Sequence, residues 1–396
     1  MIVAVSRLLF LFAAAVMVLA PAAAQLTFGS TGDDDNRPMR AAPGAPASIE
    51  DLIQWPRGFE AYLADHFGLR RYLIRADVFL RWNLFGESTT PLLLPGRNGR
   101  IFRAGGEPRY RSVLSTCGAY GEDNWRASIS GSLAEALRKA AAKLPDTKVL
   151  VIPSAPALYA QDLPEWVERA CRDRVPLAPD VIGRLPADLR GRVLYATAPL
   201  SALPPSVPLI PKMNFHWAGR GARLFMQALA ERELGLRPKA RAVWTEREVP
   251  VELAFAFGRW FMHRVERPDW KASGIEQCTG ASECFRDPAF AAVDFPQGTW
   301  RLKRTNGPER LLIVGDSFAA AAGSVLIDYF DEVVALNLYE FTRAPDDKKD
   351  RVWQALAIDW RPTRIIVLVC DENVFHLPQY LNEVARLPTL ELRKSR

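Results

Sequence analysis

Two short segments carry the residue types that could do chemistry here: Gly315-Asp316-Ser317-Phe318 and Asn214-Phe215-His216-Trp217. Ser317 directly follows the apolar run Leu311-Leu312-Ile313-Val314 and opens a stretch of helical spacing, so it sits where a strand becomes a helix. Gly315 permits a sharp turn there. A serine lifted to the sheet edge has its own backbone N–H, with others of the first helical turn, placed to stabilise an oxyanion. Asp and Ser are also preferred helix N-caps, and on this segment alone either reading fits.

A nucleophilic serine needs a base, and the chain offers only 4 histidines. His66 lies in a helical pattern and reads as a surface or hinge residue. His263 stands among Trp260, Phe261 and Met262, where packing explains it. His376 follows the last apolar run and could approach the sheet edge. His216 stands just before a helical pattern, with Trp217 beside it and Gly219 and Gly221 shortly after, and is the best candidate.

The elements that must position these residues follow from hydrophobic periodicity. Residues 311–314 read as a strand, 318–330 as a helix, 332–338 as a strand, 346–358 as a helix and 364–369 as a strand. Upstream, 130–144 reads as an amphipathic helix, 148–152 as a buried strand stopped by Pro153, and 219–234 as a helix. Residues 49–85 also carry helical spacing, and 91–94 with Ile101-Phe102 flank a turn at 96–99. Short apolar strands alternating with helices imply βαβ units and a mostly parallel sheet with helices on both faces. In such α/β sheets the chemistry sits at the carboxyl ends of the strands, which is where Ser317 falls.

Arg7 precedes an apolar run, residues 8–20, that ends in Pro21-Ala22-Ala23-Ala24-Gln25. That is the pattern of a secretory signal peptide, residues 1–24, with cleavage expected after Ala24. An uncleaved N-terminal tether is the other reading. Residues 25–48 are rich in Gly, Pro, Ala and Asp without periodicity and read as a flexible linker; 49–396 form the expected catalytic domain. The protein is therefore expected to be exported, in the periplasm. With 51 basic and 45 acidic residues and no long Lys/Arg block, the chain has no nucleic-acid footprint. Its net charge of +6 fits a mixed solvated surface, or a face toward an acidic polymer or anionic membrane.

Export allows disulfides among the 5 cysteines. Cys278 with Cys284, across a turn-rich spacer, and Cys117 with Cys171 are the candidate pairs. Cys370, ending the run Ile365-Ile366-Val367-Leu368-Val369, reads as a buried free thiol. No tight Cys/His spacing points to a metal, and no cofactor is expected.

Taken together, the two segments resemble the permuted SGNH-hydrolase-like domain of the AlgJ/AlgX-type alginate O-acetyltransferase family. Phe59-Glu60-Ala61-Tyr62 and residues 65–70 resemble that family's N-terminal helix. Residues 95–102 resemble its Gly-Lys-Asp-Gly-Trp-Leu-Phe turn, with Arg100 where Trp is usual, and 153–164, with Tyr159, resemble its strand-end segment. The likeness runs from about Asp51 to Pro378. It implies an SGNH-hydrolase-like (flavodoxin-like) α/β fold with the motifs in circularly permuted order.

The resemblance further implies O-acetylation of an exported polysaccharide, with the acetyl group supplied by a membrane-bound partner protein. Ser317 would be the nucleophile and His216 its base. Family members usually carry Asp two residues before the His, and this chain has Asn214. A carboxylate both orients the imidazole and stabilises the imidazolium, whereas an amide can do only the first. Asn214 thus leaves three readings: a weak enzyme, a third member supplied elsewhere, or a retired site that binds glycan or scaffolds secretion machinery. Asp371 and Glu372, after the last strand, are candidates for the missing acid or residues of a solvated turn. Asn373 stands where related hydrolases place an oxyanion-hole Asn, and Asp316 reads as a brace of the serine turn. The same acyl chemistry ending in water would make an O-acetylesterase.

Overall fold

The computed structural model describes residues 40–387 except 67–68, 89, 106–110, 254–260, 281–284, 286–289 and 291–292, together with positions 7, 10–12, 15, 16, 19 and 23. The expected signal peptide and most of the expected linker therefore lie outside the described residues. Among the described residues no helix is long and apolar enough to cross a membrane.

The chain divides into two units, residues 1–90 with 250–263, and residues 91–249 with 264–396. The first contains helices α1 (Ile49–His66) and α2 (Arg70–Leu80), the latter continued by a π turn over Arg81–Phe85. Gly86, at φ 63, ends that turn, a left-handed conformation that glycine adopts without steric cost. The helical spacing over 49–85 thus resolves into two helices and a π turn.

The second unit is built on a seven-stranded sheet. Its strands are β3 (Lys148–Ile152), β4 (Val193–Tyr195), β7 (Glu276–Thr279), β8 (Trp300–Lys303), β9 (Arg310–Gly315), β10 (Glu332–Asn337) and β11 (Arg364–Cys370). They lie in the order β4-β3-β11-β9-β10-β8-β7. The five from β4 to β10 run parallel, and β8 and β7 add antiparallel strands at one edge. Two small two-stranded sheets stand apart from it: β1 (Leu93–Pro95) with β2 (Ile101–Arg103), and β5 (Trp244–Pro250) with β6 (Met262–Pro268).

Successive residues of the central strands enter opposite cores, as strand geometry demands. Leu312 and Val314 of β9, with Val367 and Val369 of β11, face one core. That core is closed by α3 (Asp123–Lys143), α6 (Asp346–Gln354) and α7 (Leu377–Val384) through Leu133, Leu137, Trp353 and Leu381. Leu311, Ile313, Ile366 and Leu368 face the other, closed by α4 (Gly219–Ala228) and α5 (Phe318–Leu326) through Phe225, Met226, Phe318 and Val325. The sheet is covered on both faces, so β9 and β11 read as unbroken apolar runs.

Cys117 and Cys171 form a disulfide with Cα atoms 5.4 Å apart, as their polar surroundings suggested. Cys278 is also disulfide-bonded; its expected partner Cys284 lies outside the described residues. Cys370 is buried and free. The 117–171 bridge closes a sequence separation of 54 residues, which by loop entropy constrains the unfolded chain by about 4 kcal/mol. Changing both cysteines to serine should lower unfolding stability by up to that amount. Identical denaturant midpoints for the two proteins would rule the effect out.

Candidate active site

The serine turn grows out of the middle of the sheet. Gly315, the last residue of β9, pairs with Leu368 of β11. A Cβ on Gly315 would lie 1.8 Å from the Leu368 carbonyl oxygen, so only glycine lets the two strands close at this point. Asp316 follows and is buried. Its Oδ1 accepts the Phe318 N–H at 3.0 Å, and its Oδ2 accepts the Cys370 N–H at 2.7 Å and the Asn373 Nδ2–H at 2.8 Å. Burial raises the Asp316 carboxyl above its ordinary range, opposed by those three donors and by the charge of His216.

Ser317 occupies the N-cap position of α5 but makes no capping bond. Asp316 supplies that bond instead, so the N-cap explanation of Ser317 fails. The Ser317 side chain lies 2.6 Å from His216, Oγ to Nε2. This is the contact that a serine nucleophile and its general base require.

His216 arrives on the segment between β4 and α4. Gly221 of α4 packs where a Cβ would meet the Pro208 carbonyl oxygen at 2.0 Å, and the Ala218 N–H donates to the Leu209 carbonyl. Helix and loop are thereby locked face to face. The imidazole sits 4.6 Å from both the Phe215 and the Phe318 rings, centroid to centroid. Trp217, 3% exposed, turns into the core against Phe225. Asn214 is buried as well, and its backbone N–H donates to the Pro211 carbonyl.

Similar solved structures are distant in sequence. A DHHW family protein from Eubacterium siraeum is similar at 16% identity and TM-score 0.44, over 73% of this chain and 98% of that one. Bacillus cereus PatB1 with a sulfonyl adduct is similar at 12% identity and TM-score 0.46, over 73% and 96%. The O-acetyltransferase domain of Pseudomonas putida AlgJ is similar at 13% identity and TM-score 0.42, over 74% and 99%. No family model matches the chain, and no curated protein matches it by sequence.

Each of the other three histidines has surroundings of its own. His66 stacks on Tyr62 at 4.1 Å, with Nδ1 2.9 Å from that residue's carbonyl oxygen. His263 belongs to β6. His376 packs on Phe375, and burial together with the charges of Arg111 and Arg343 lowers its pKa, which disfavours the imidazolium.

Asp371 and Glu372 are poorly suited to be the missing acid. Both are buried rather than forming a solvated turn. Asp371 accepts the Ser154 N–H at 3.1 Å and the Tyr195 hydroxyl at 3.0 Å, so it ties β11 to β3 and β4. Burial pushes its pKa to about 6. Glu372 is raised to about 8 by burial, against the opposing charge of Arg103, and its Oε2 has no hydrogen-bond partner. A carboxyl that is mainly protonated at neutral pH cannot balance an imidazolium. Asn373 directs one amide N–H to Asp316, which makes it a brace of the serine turn and leaves its second N–H for another acceptor. Ser317 stands at the N-terminus of α5, the positive end of the helix dipole. Among the described residues no group of His, Cys, Asp and Glu could hold a metal ion.

The buried acids have a measurable consequence. Burial lifts the Glu372 carboxyl from its ordinary 4.5 to about 8. Across that window the folded state keeps a proton that the unfolded chain releases, so stability falls as pH rises and levels off above it. Glu372→Gln should flatten the part of this slope above about pH 6, where Asp371 no longer contributes, and gain on the order of a few kcal/mol at the alkaline end. Urea midpoints at both ends of the window check this, and parallel shifts for variant and wild type would exclude Glu372 as the group.

Proposed function

We propose that this protein is an O-acetyltransferase that moves an acetyl group onto a hydroxyl of an exported polysaccharide through an acetyl-serine. The observation that carries the reading is the 2.6 Å approach of His216 Nε2 to Ser317 Oγ. In the first half-reaction His216 takes the Ser317 proton as Oγ bonds to the acetyl carbonyl carbon. The oxyanion forms against the Ser317 N–H at the head of α5. His216 then returns the proton to the leaving group as its bond to the acetyl carbon breaks. In the second half-reaction a sugar hydroxyl gives its proton to His216 and attacks the acetyl-serine. Ser317 leaves and recovers the proton. Water in place of the sugar would give the esterase outcome.

The remaining parts of the proposal have their own supports. The N-terminal pattern and the Cys117–Cys171 bridge favour export to the periplasm. The base precedes the nucleophile in the chain, while β3 and β4 join the sheet beside β11, an order that favours a circularly permuted SGNH-hydrolase-like arrangement. The acetyl donor is proposed to be a membrane-bound partner protein, in keeping with the resemblance in sequence.

A second reading has one specific observation behind it: Asn214, an amide, is buried where the resemblance expects a carboxylate. In that reading the cleft binds glycan without turnover. Incubation of the protein with a chromogenic acetyl ester, followed by mass spectrometry of the Ser317 peptide, separates the two. Acetyl on Ser317, discharged faster when an oligosaccharide acceptor is added, supports transfer. An unmodified Ser317 peptide with retained glycan affinity would replace the enzyme by the binder.

A further inference from the structure

The loop that brings His216 to Ser317 is held by a buried charged clamp. Arg100, 3% exposed, donates Nε–H to Asp162 Oδ2 at 2.8 Å and Nη1–H to the Ile210 carbonyl at 3.1 Å. Its guanidinium carbon lies 3.5 Å from the Tyr159 ring centroid, a cation–π contact in a desolvated setting. The Tyr159 hydroxyl in turn accepts the Ile210 N–H at 3.2 Å. Both backbone groups of Ile210 are therefore fixed by side chains of this one cluster. Asp162 also accepts from Asn98 at 2.8 Å. Two residues further along the loop, the Ile101 N–H donates to the Lys212 carbonyl at 2.9 Å. The loop is pinned at alternate residues just before Asn214 and His216.

An apolar contact could fill this space at less cost. A buried ion pair contributes little net stability over hydrophobic residues of similar size, because both charges must leave water. What it provides is direction: the guanidinium fork fixes a carbonyl in angle as well as distance. Asp162 stays ionised for the task; burial raises its carboxyl, but the bonds from Asn98 and Arg100 outweigh this and hold it below the usual range.

Resting on the acyltransfer reading above, we infer that Arg100 and Tyr159 are positioning residues for the general base, setting His216 Nε2 against Ser317 Oγ through the backbone of Ile210. Neither touches the reacting atoms. A displacement of the base by about 1 Å costs on the order of 10²-fold in rate.

The test is the rate at which phenylmethanesulfonyl fluoride modifies Ser317 in the full chain, measured across pH. In that reaction Oγ bonds to sulfur, fluoride leaves, and His216 takes the proton, so the rate reports the base directly. Tyr159→Phe keeps the ring under Arg100 and removes only the acceptor for Ile210. It should label about 10-fold more slowly, with the pH midpoint of labelling moved and the melting temperature little changed. Arg100→Ala should slow labelling about 10²-fold, with Arg100→Lys recovering part of the loss. Acetyl-ester turnover should fall in kcat with KM unchanged. A folded Tyr159→Phe protein that labels at the wild-type rate, or one that raises KM while kcat holds, would overturn the inference. Wild-type protein that fails to label would instead overturn the serine nucleophile itself, and the clamp's role with it.

Discussion

Ser317→Ala should remove acyl transfer, and the size of the loss depends on Asn214. In a serine hydrolase with an intact triad, loss of the serine costs on the order of 10⁶-fold in turnover. An amide in place of the triad carboxylate alone costs about 10⁴-fold. Members of one catalytic unit are not additive, so the two losses overlap. In this chain the serine is then worth about 10²-fold over the background left by oxyanion stabilisation and binding. The substitution is conservative for the fold: Ser317 is exposed and makes no capping bond, and Asp316 keeps the helix start intact. Acetyl-ester kinetics on the two proteins decide the point, and turnover that survives Ser317→Ala would remove this residue from the mechanism.

Asn214→Asp is the counterpart, and it should raise turnover by as much as about 10⁴-fold, the full cost of the amide. The gain comes from the imidazolium. When His216 holds the Ser317 proton, a neutral amide adds no charge to balance it, and the buried Asp316 is engaged in bracing the turn through three donors. A carboxylate at 214 would add the missing charge on the side of the base. The double variant Asn214→Asp with Ser317→Ala separates chemistry from packing, because its loss relative to Asn214→Asp should widen toward about 10⁶-fold. If Asn214→Asp turns over no faster than the wild type, the amide is not what limits this site.

The centre of the sheet was legible in the sequence because β3, β9 and β11 are buried on both faces. The expected strand at 148–152 is β3, and those at 311–314 and 364–369 fall within β9 and β11. The edges were not legible. β7 (Glu-Gln-Cys-Thr) and β8 (Trp-Arg-Leu-Lys) mix charge with apolar residues, and Arg301 of β8 is buried in a pair with Glu332 of β10 at 2.5 Å. No local pattern announces a buried arginine whose partner lies on another strand.

Helix ends failed for a related reason. The periodicity of 219–234 and 346–358 continues through π turns at Leu229–Glu233 and Ala355–Trp360, where hydrogen bonding changes while the apolar face persists.

At the site, Ser317 and His216 could be found from local signals: a strand-to-helix turn, and a histidine ahead of a glycine-bearing helix. Asp371 and Glu372 could not be read the same way. Charged residues after a strand suggest solvent, yet Asp371 is satisfied by Tyr195 and Ser154, 176 and 217 residues away in sequence. The clamp of Arg100 and Asp162 is equally non-local, at 62 residues. Its one signal was a charged residue at a position where the resemblance expects an aromatic one.

The placement of the serine turn between β9 and β11 also sets how the site comes apart. The amides of Phe318 and Cys370 are donated to Asp316 at the heart of a seven-stranded sheet, so their exchange with deuterated solvent requires the whole second unit to open. The stretch from β4 to α4 that carries His216 belongs to no sheet and holds only short turns. Such segments open locally at much lower free energy than the core. What holds this stretch is side-chain bonding and the burial of Ile210 and Trp217 rather than a strand ladder, so exchange at the Ile210 amide should report the clamp while exchange at Phe318 and Cys370 reports the sheet.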